Sequence, residues 1–551
     1  MPRWLTLKEG LLALYLLTTA PAVVERTVSL GLSSALALFL VLWAASATAL
    51  VIPAYSRPFL VRLAWAVLFV GAGLFVATFQ AVTGQFLTYD AFINMVSSTG
   101  DAGNALAQYG RSFLLPLLSS ALLAVAILLR PRRPVRFAGL APLAGLILLS
   151  LLLYVRGGEG ARGIPPPLTG LSYTGLALYE AAHEPRAVRE PVAIKPRTAS
   201  AGDLVFIIDE SIAGQYLDLN DARGVRSGLL ESRPGLSVAN FGYAASITNC
   251  SWGSNLTLRY GGTREDYRRI DASGPSLFAY AKAAGFHTVY IDAQRLDPAK
   301  LPLSQDELAG VDRTISLAGN PVVERDKDAA ALVSRYLHDG TRDFILVNKV
   351  GAHFPVHDKY PDAYLRYRPA LPRGRFLNVS DTGSRAGFGG TPAEWRQYRN
   401  AYRNTLLWNV GAFFDRLLAP GIGKATIVYT SDHGQNLHET GGPGVNTHCS
   451  PEPVQEEGLV PLAVIAGGEG AAHWSQAASL NRNRATHYQI FPTLLSMMGY
   501  DEKEVARRYG PGLDRRSTAL FAFNARFNAR LGRGPDWRTI DLTRIVKGPA
   551  D

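Results

Sequence analysis

Long uncharged apolar runs crowd the first 155 residues, whereas shorter ones, separated by polar stretches, fill the rest of the chain. A helix needs about 20 apolar residues to cross a bilayer. Segments 9–24, 28–54, 60–82, 112–129 and 138–155 meet or approach that length, which predicts five membrane spans. The first begins near Arg3 and Lys8 and ends at Thr19 and Ala20, as a signal peptide would. Four further spans follow it directly, which favours an uncleaved helix. Residues 83–110 are too polar to span, and the expectation is either a surface that faces a soluble domain or a solvated loop.

Beyond the spans the period changes. DLVFII (203–208), HTVYID (287–292), DFILVN (343–348), ATIVYT (425–430) and PLAVIA (461–466) are near-continuous apolar runs, the pattern of strands buried on both faces. Helical patterns lie between them at 275–285, 327–338, 392–418 and 487–498, the third opening with Thr391-Pro392-Ala393-Glu394, a capping box with Pro at the first helical position. Strand and helix in alternation predict a doubly wound α/β domain with parallel strands. The expected organisation is a five-helix transmembrane domain over 1–157, a Pro-rich linker over 158–200 and an extracytoplasmic α/β domain over 201–551.

Charge sharpens this picture. The 551 residues carry a net charge of +11, with 48% hydrophobic and 18% charged residues. The densest basic cluster, Arg130, Arg132, Arg133 and Arg136, lies between two apolar runs, so it reads as a cytoplasmic loop and not as a nucleic-acid surface. Arg3 with Lys8, and Arg57 with Arg62, fall on the same side, so an odd number of spans places everything after Tyr154 outside. Two cysteines, Cys250 and Cys449, exclude a cysteine-rich zinc module.

Ligands of such a sheet collect beyond the carboxyl ends of its strands. Asp209, Glu210 and Ser211 follow the first strand, Lys349 to His353 follow the third, and Ser431-Asp432-His433-Gly434 follow the fourth. Carboxylate and imidazole groups delivered to one edge suit zinc or manganese.

These segments resemble the membrane-anchored, sulfatase-like phosphoethanolamine transferases of the alkaline-phosphatase superfamily. YTSDHGQNLHE resembles that family's S-D-H-G signature and FIIDES its strand-G-E-T segment. VGAHFPVHDKYP is similar to its G-S-H-G-P…Y-P segment, YRNTLLWNVGAFFDRLL to its Y-D-N-T helix, and LTYDAFINM to its D-x-N-M loop. The resemblance implies an N-terminal α-helical transmembrane bundle joined to an α/β domain of alkaline-phosphatase/sulfatase type. It implies zinc held by Glu210, Asp432, His433 and the nucleophile's oxygen, with room for a second zinc or a manganese. His353 and His448 would hold the phosphate or that second metal, with His438 a rival to His448. His357 is a further substrate-side candidate, or a pocket wall beside Tyr360-Pro361, and Lys349 would neutralise phosphoryl oxygens.

The family's nucleophile is a threonine in T-S-C-G-T-A-T-A. Here the stretch runs from Ser246 to Asn255, and strict counting from Cys250 lands on Trp252, which cannot serve. Ser251 is favoured, with Thr248 and Cys250 left open. The sulfatase pattern C-x-P-x-R is absent, which disfavours a formylglycine enzyme. A disulfide between Cys250 and Cys449 is expected to pin the nucleophile loop to the His448 loop. The implied activity moves a phospholipid head group to an envelope lipid or glycan through a phospho-enzyme, in a monomer of the bacterial inner membrane with a periplasmic catalytic domain. The alternatives are a metal-dependent phosphodiesterase or phosphatase, and an inactive scaffold, for which Gln435 in place of the family's Glu is a reason.

Overall fold

A computed structural model describes residues 7–97, 102–183, 187–198, 202–295, 301–372 and 388–546. Its membrane half contains α1 (Leu7–Thr18), α2 (Ala20–Leu30), α3 (Ser34–Val51), α4 (Phe59–Thr83), α5 (Tyr89–Ser97), α6 (Ala102–Tyr109), α7 (Leu114–Leu128), α8 (Ala141–Val155) and α9 (Pro166–His183). Four helical stretches among the described residues are long and apolar enough to cross a bilayer, and a fifth span exists if α1 and α2, bent by 41°, count as one. The bend falls at Thr19, just before Pro21 in the first turn of α2, where a missing N–H is tolerated but a straight continuation is not. Ser33 accepts from the Leu36 N–H, so α3 starts there and not at residue 28. Outward-facing Leu60, Leu115, Leu151 and Val155 leave an apolar surface that only lipid would cover well.

One segment departs from expectation, and for another the structure favours one of the two readings offered. The Pro-rich stretch read as a linker folds from Pro166 into α9, because Pro is well placed in a first turn. α9 packs against α4 at Gly73 and Gly170, where a Cβ would meet Pro167 at 2.9 Å and the Ala72 carbonyl at 2.9 Å. Among its described residues the polar stretch 83–110 is largely helical and lies on the α/β half, as the first of its two readings expected. The Asn528 N–H donates to Asp90 Oδ1 (2.7 Å), Asn528 Nδ2 to Asn94 Oδ1 (2.6 Å), and the Phe388 N–H to the Gln108 carbonyl (2.9 Å).

The α/β half is built on one eight-stranded sheet. Its strands are β1 (Leu204–Asp209), β2 (Leu236–Ala245), β3 (His287–Asp292), β4 (Arg313–Ser316), β5 (Asp343–Asn348), β6 (Thr426–Ser431), β7 (Leu459–Gly467) and β8 (Ala485–Thr486). They are ordered β4-β3-β5-β1-β6-β7-β2-β8. The five from β4 to β6 are parallel. The run 461–466 lies in β7, which is antiparallel to β6, contrary to the parallel expectation. An apolar run records burial and not direction. The chain from Asp432 to Gly458 stays at the carboxyl edge without a crossover helix, so β7 starts at that edge and runs back. Val205, Ile207, Ile345 and Ile427 pack on one face, and Leu204, Phe206, Leu346 and Val428 on the other. The Thr391–Glu394 capping box is present as read.

Candidate active site

β1 and β6 are neighbours in register, with Asp209 opposite Ser431, so the residues that follow each strand emerge side by side. Glu210, Asp432 and His433 are fully buried there, and one ligand atom from each lies within 4.8 Å of the others. Ser211 locks the pair of strand ends. Its N–H donates to Asp432 Oδ1 (3.0 Å) and its hydroxyl to Glu210 Oε1 (2.9 Å). Its φ of 63° is a left-handed conformation that the turn between these bonds demands. The His433 Nδ1–H is directed at the Gly434 carbonyl at 2.7 Å, which leaves Nε2 as the ligand atom.

Ser251 is the first residue of α10 (Ser251–Tyr260). Its Oγ lies 3.0 Å from Glu210 Oε1 and 3.0 Å from His433 Nε2. The first N–H groups of a helix have no partner within it, which makes such a terminus a ready cradle for an anionic oxygen. Cys250 forms a disulfide with Cys449 (Cα–Cα 4.8 Å), which removes it as a nucleophile. Thr248 does not join the cluster. Its hydroxyl is buried against Asn249 Oδ1 at 3.4 Å, and its carbonyl accepts from Ser246 and Ser254.

The electrostatics call for a cation. Burial opposes ionisation of Glu210, yet its bond from His433 and the charges of His353 and His433 hold it well below the usual carboxylate range. Burial pushes Asp432 up to about 8, and the Glu210 charge adds to the rise. Burial works against charging His433, but Asp432 and Glu210 outweigh it and raise the imidazole to about 9. A bound cation would stabilise the same buried carboxylates. Asp432 Oδ2 is buried 3.6 Å from His433 Nε2, with no hydrogen-bond partner among the described residues, and a cation would satisfy it. Two carboxylates, an imidazole nitrogen and a hydroxyl oxygen fit a small divalent metal.

His353 and His448 complete the near side. The His433 and His448 rings stack at 4.4 Å, while Phe354 lies 4.5 Å from His353 and 5.7 Å from His448. The His353 Nδ1–H is held by the Phe354 carbonyl at 2.7 Å. Burial and the neighbouring His433 charge keep His448 well below the ordinary imidazole range. His438 does not replace it: its ring stacks on Trp395 at 4.1 Å and bonds the Asn446 carbonyl.

Lys349 corrects the sequence reading. It turns away from the phosphate side and is fully buried, with Nζ 2.6 Å from Asp209 Oδ2, 2.6 Å from the Asn409 carbonyl and 3.7 Å from Asp326. A lysine fits this packed space because its flexible stem can lead to a buried carboxylate pair. His357 is buried in the turn Val356–Asp358 and makes no contact with Glu210, Asp432, His433 or Ser251 among the described residues. Gln294 was missed. It follows β3 and donates to Glu210 Oε2 at 2.8 Å, so reading the end of that strand as the others were read would have found it. Trp252, 37% exposed, forms a rim beside Ser251 and rests on Phe527.

Fold and site together define a membrane protein whose extramembrane half is an α/β domain with a serine and a candidate metal cluster at one edge of its sheet. Residues 203–500, over half of the chain, match the sulfatase family, and the chain belongs to that family. The fold extends to the membrane half. The integral membrane protein lipooligosaccharide phosphoethanolamine transferase A (EptA) from Neisseria meningitidis superposes with a TM-score of 0.59 at 16% identity, over 81% of this chain and 87% of that one. The zinc complex of the C-terminal periplasmic domain of EcEptC from Escherichia coli gives 0.50 at 15% identity, over 64% of this chain and 96% of that one. No curated protein matches the sequence.

Proposed function

We propose that this protein is a zinc-dependent phosphoryl-group transferase that moves a phospholipid head group of the phosphoethanolamine type to an envelope lipid or glycan. The observation that carries the reading is Ser251 Oγ, 3.0 Å from both Glu210 and His433 at a helix N-terminus. Glu210, Asp432 and His433, with Ser251 Oγ, would hold zinc. When bound, the ion would supply the positive charge that makes a serine hydroxyl nucleophilic near neutral pH.

Ser251 Oγ then attacks the phosphorus of the donor phosphodiester. The Ser251 hydroxyl proton passes to His353 or His448, which gives it to the glycerol oxygen as the bond from that oxygen to phosphorus breaks. The first-turn N–H groups of α10 and the two imidazoles balance the phosphoryl charge as it develops. An acceptor hydroxyl next attacks the phosphorus, and Ser251 leaves with a proton. A site tethered to the bilayer works at a high effective concentration of lipid donor. The similarity to a lipooligosaccharide phosphoethanolamine transferase and to a periplasmic domain, both bacterial, supports the substrate class and compartment. The arginine-rich loops on one side support an inner-membrane topology of five spans, the bent pair counted as one. The working form in this reading is a monomer.

Purified full-length protein with head-group-labelled phosphatidylethanolamine, assayed with zinc or chelator, tests this. A labelled Ser251 peptide that passes its label to an added acceptor is the expected result. Free head group as the sole product indicates a hydrolase, and no turnover with phosphatidylethanolamine or phosphatidylglycerol removes the transferase.

A further inference from the structure

Arginine stands where membrane topology disfavours it. Lys and Arg collect in cytoplasmic loops, as they do at 130–136, and are sparse in short loops on the other side. The short loop from α8 to α9, Arg156-Gly157-Gly158-Glu159-Gly160-Ala161-Arg162-Gly163, breaks that pattern. It faces the α/β half: Arg533 donates to the Arg156 carbonyl at 3.1 Å, and Arg162 pairs with Glu452 at 3.1 Å.

The glycines of this loop draw further arginines in. Gly157, Gly158, Gly160 and Gly163 have φ of 64°, 86°, 127° and 80°, conformations that glycine adopts at no steric cost. A Cβ at Gly157 would meet the Arg533 stem at 2.5 Å, one at Gly160 the Arg156 stem at 3.6 Å, and one at Gly163 the Cβ of Arg26 on α2 at 3.3 Å. The N–H groups from Gly160 to Gly163 have no protein acceptor among the described residues. Successive free N–H groups in such turns suit an anion.

The acids nearby are mostly taken. Glu452 holds Arg162, Glu159 lies 3.7 Å from Arg526, and Glu180 lies 3.8 Å from Arg530. Arg26, Arg156 and Arg533 make no ion pair among the described residues, and Glu25 is the acid left beside them. The depth is that of lipid head groups. Exposed Tyr154 and Tyr179, at the ends of α8 and α9, meet edge to face at 5.7 Å, and tyrosines of this kind mark the membrane–water interface. Outward-facing Leu151 and Val155 lie beside them on α8, and Val24 and Val28 flank Arg26.

We propose that Arg26, Arg156 and Arg533, gathered around the 156–163 loop, form a site for the phosphodiester of a phospholipid in the adjoining leaflet. A snorkelling arginine also reaches the interface, but three without acidic partners on one glycine loop offer the forked donors that phosphate accepts. Glu452 follows Cys449 by three residues, so Arg162 ties this rim to the loop that carries His448. The inference rests on the transferase reading only for the use made of the lipid, as a donor held beside the site.

The test is lipid retention by full-length protein in a non-ionic detergent, read by native mass spectrometry. Phosphatidylethanolamine is compared with diacylglycerol of the same chains, which lacks the phosphate. The wild type should retain the first and not the second. Arg26→Gln with Arg156→Gln should need about tenfold more phosphatidylethanolamine for half occupancy. Arg132→Gln, on the opposite side of the membrane, should bind as the wild type does. The Arg156 side chain makes no hydrogen bond or ion pair among the described residues, so Arg156→Gln alone remains readable if the double variant fails to fold. Equal retention of diacylglycerol, wild-type occupancy in the double variant, or an equal loss in Arg132→Gln overturns the proposal. Failure of the wild type to label Ser251 would overturn the transferase reading instead, and retention would still decide this one.

Discussion

Glu210, Asp432 and His433 stand directly after the last residues of β1 and β6, whereas His353 and His448 stand on loops that lean on the Ser251 turn and on the membrane half. The first group inherits its spacing from a strand register, with the Asp432 N–H on the Asp209 carbonyl at 2.9 Å directly beneath it. Under that lies the sealed trio of Asp209, Lys349 and Asp326. The second group has no such ladder. Its geometry depends on a disulfide, a backbone bond to Val82 and the packing of Tyr109. The metal corner should therefore survive damage to the seam between the halves, while the histidine corner should not.

Removing the nucleophile tests the metal corner most severely. Ser251→Ala should lower kcat by about 10⁴-fold or more, while the protein still takes up metal through Glu210, Asp432 and His433. Turnover and metal content measure this together, and phosphoryl label on Thr248 would move the nucleophile. Lys349→Ala should destabilise the catalytic half by about 3–5 kcal/mol, because it strands two buried carboxylates. Chemical denaturation reads it, and intact stability with a raised KM would return Lys349 to the substrate side.

The loop corner should respond differently. Cys250→Ser with Cys449→Ser should cost about 2–5 kcal/mol of stability, and slow the reaction while metal content stays normal. Loss of metal would show that the two corners are one unit. The smallest effect is expected at the seam. Burial pushes Asp90 up to about 7, against the pull of the Asn528 N–H, Arg526, Arg530 and Arg268; Asn94 and Tyr267 also face it. Its folded-state pKa is raised, so the folded protein holds the proton more tightly, and stability falls as pH rises from about 4 through 7. Asp90→Asn should flatten that fall and raise the apparent midpoint by about 2–4 °C at pH 8. A thermal series from pH 5 to 8 measures it, and a slope that persists in the variant would place the titration elsewhere.

Much of this was legible because its causes are local. Runs such as DLVFII mark buried strands wherever they lie, and in a parallel sheet the next residues emerge at one edge, which is why Glu210 and Asp432-His433 stood out. Lys349 misled for the same reason. It follows β5 as Glu210 follows β1, but a side chain one residue off in alternation points to the opposite side of the layer, and only packing shows which side. Gln294 carried the same strand-end signal and was not weighed. Thr248 and Ser251 are both hydroxyls on one turn, and the start of α10 separates them. The proline run at 163–167 had the composition of a linker, yet two glycines allow α9 to dock on α4, an interaction between residues far apart in the chain.

Apolar periodicity and strand-end chemistry, both properties of neighbouring residues, were sufficient for the two-part architecture and the candidate metal corner. Tertiary structure alone decided the direction of β7, the inward turn of Lys349 and the packing of Tyr109 on Phe354. Each depends on which distant segments meet, and no local pattern encodes a contact between residues 109 and 354.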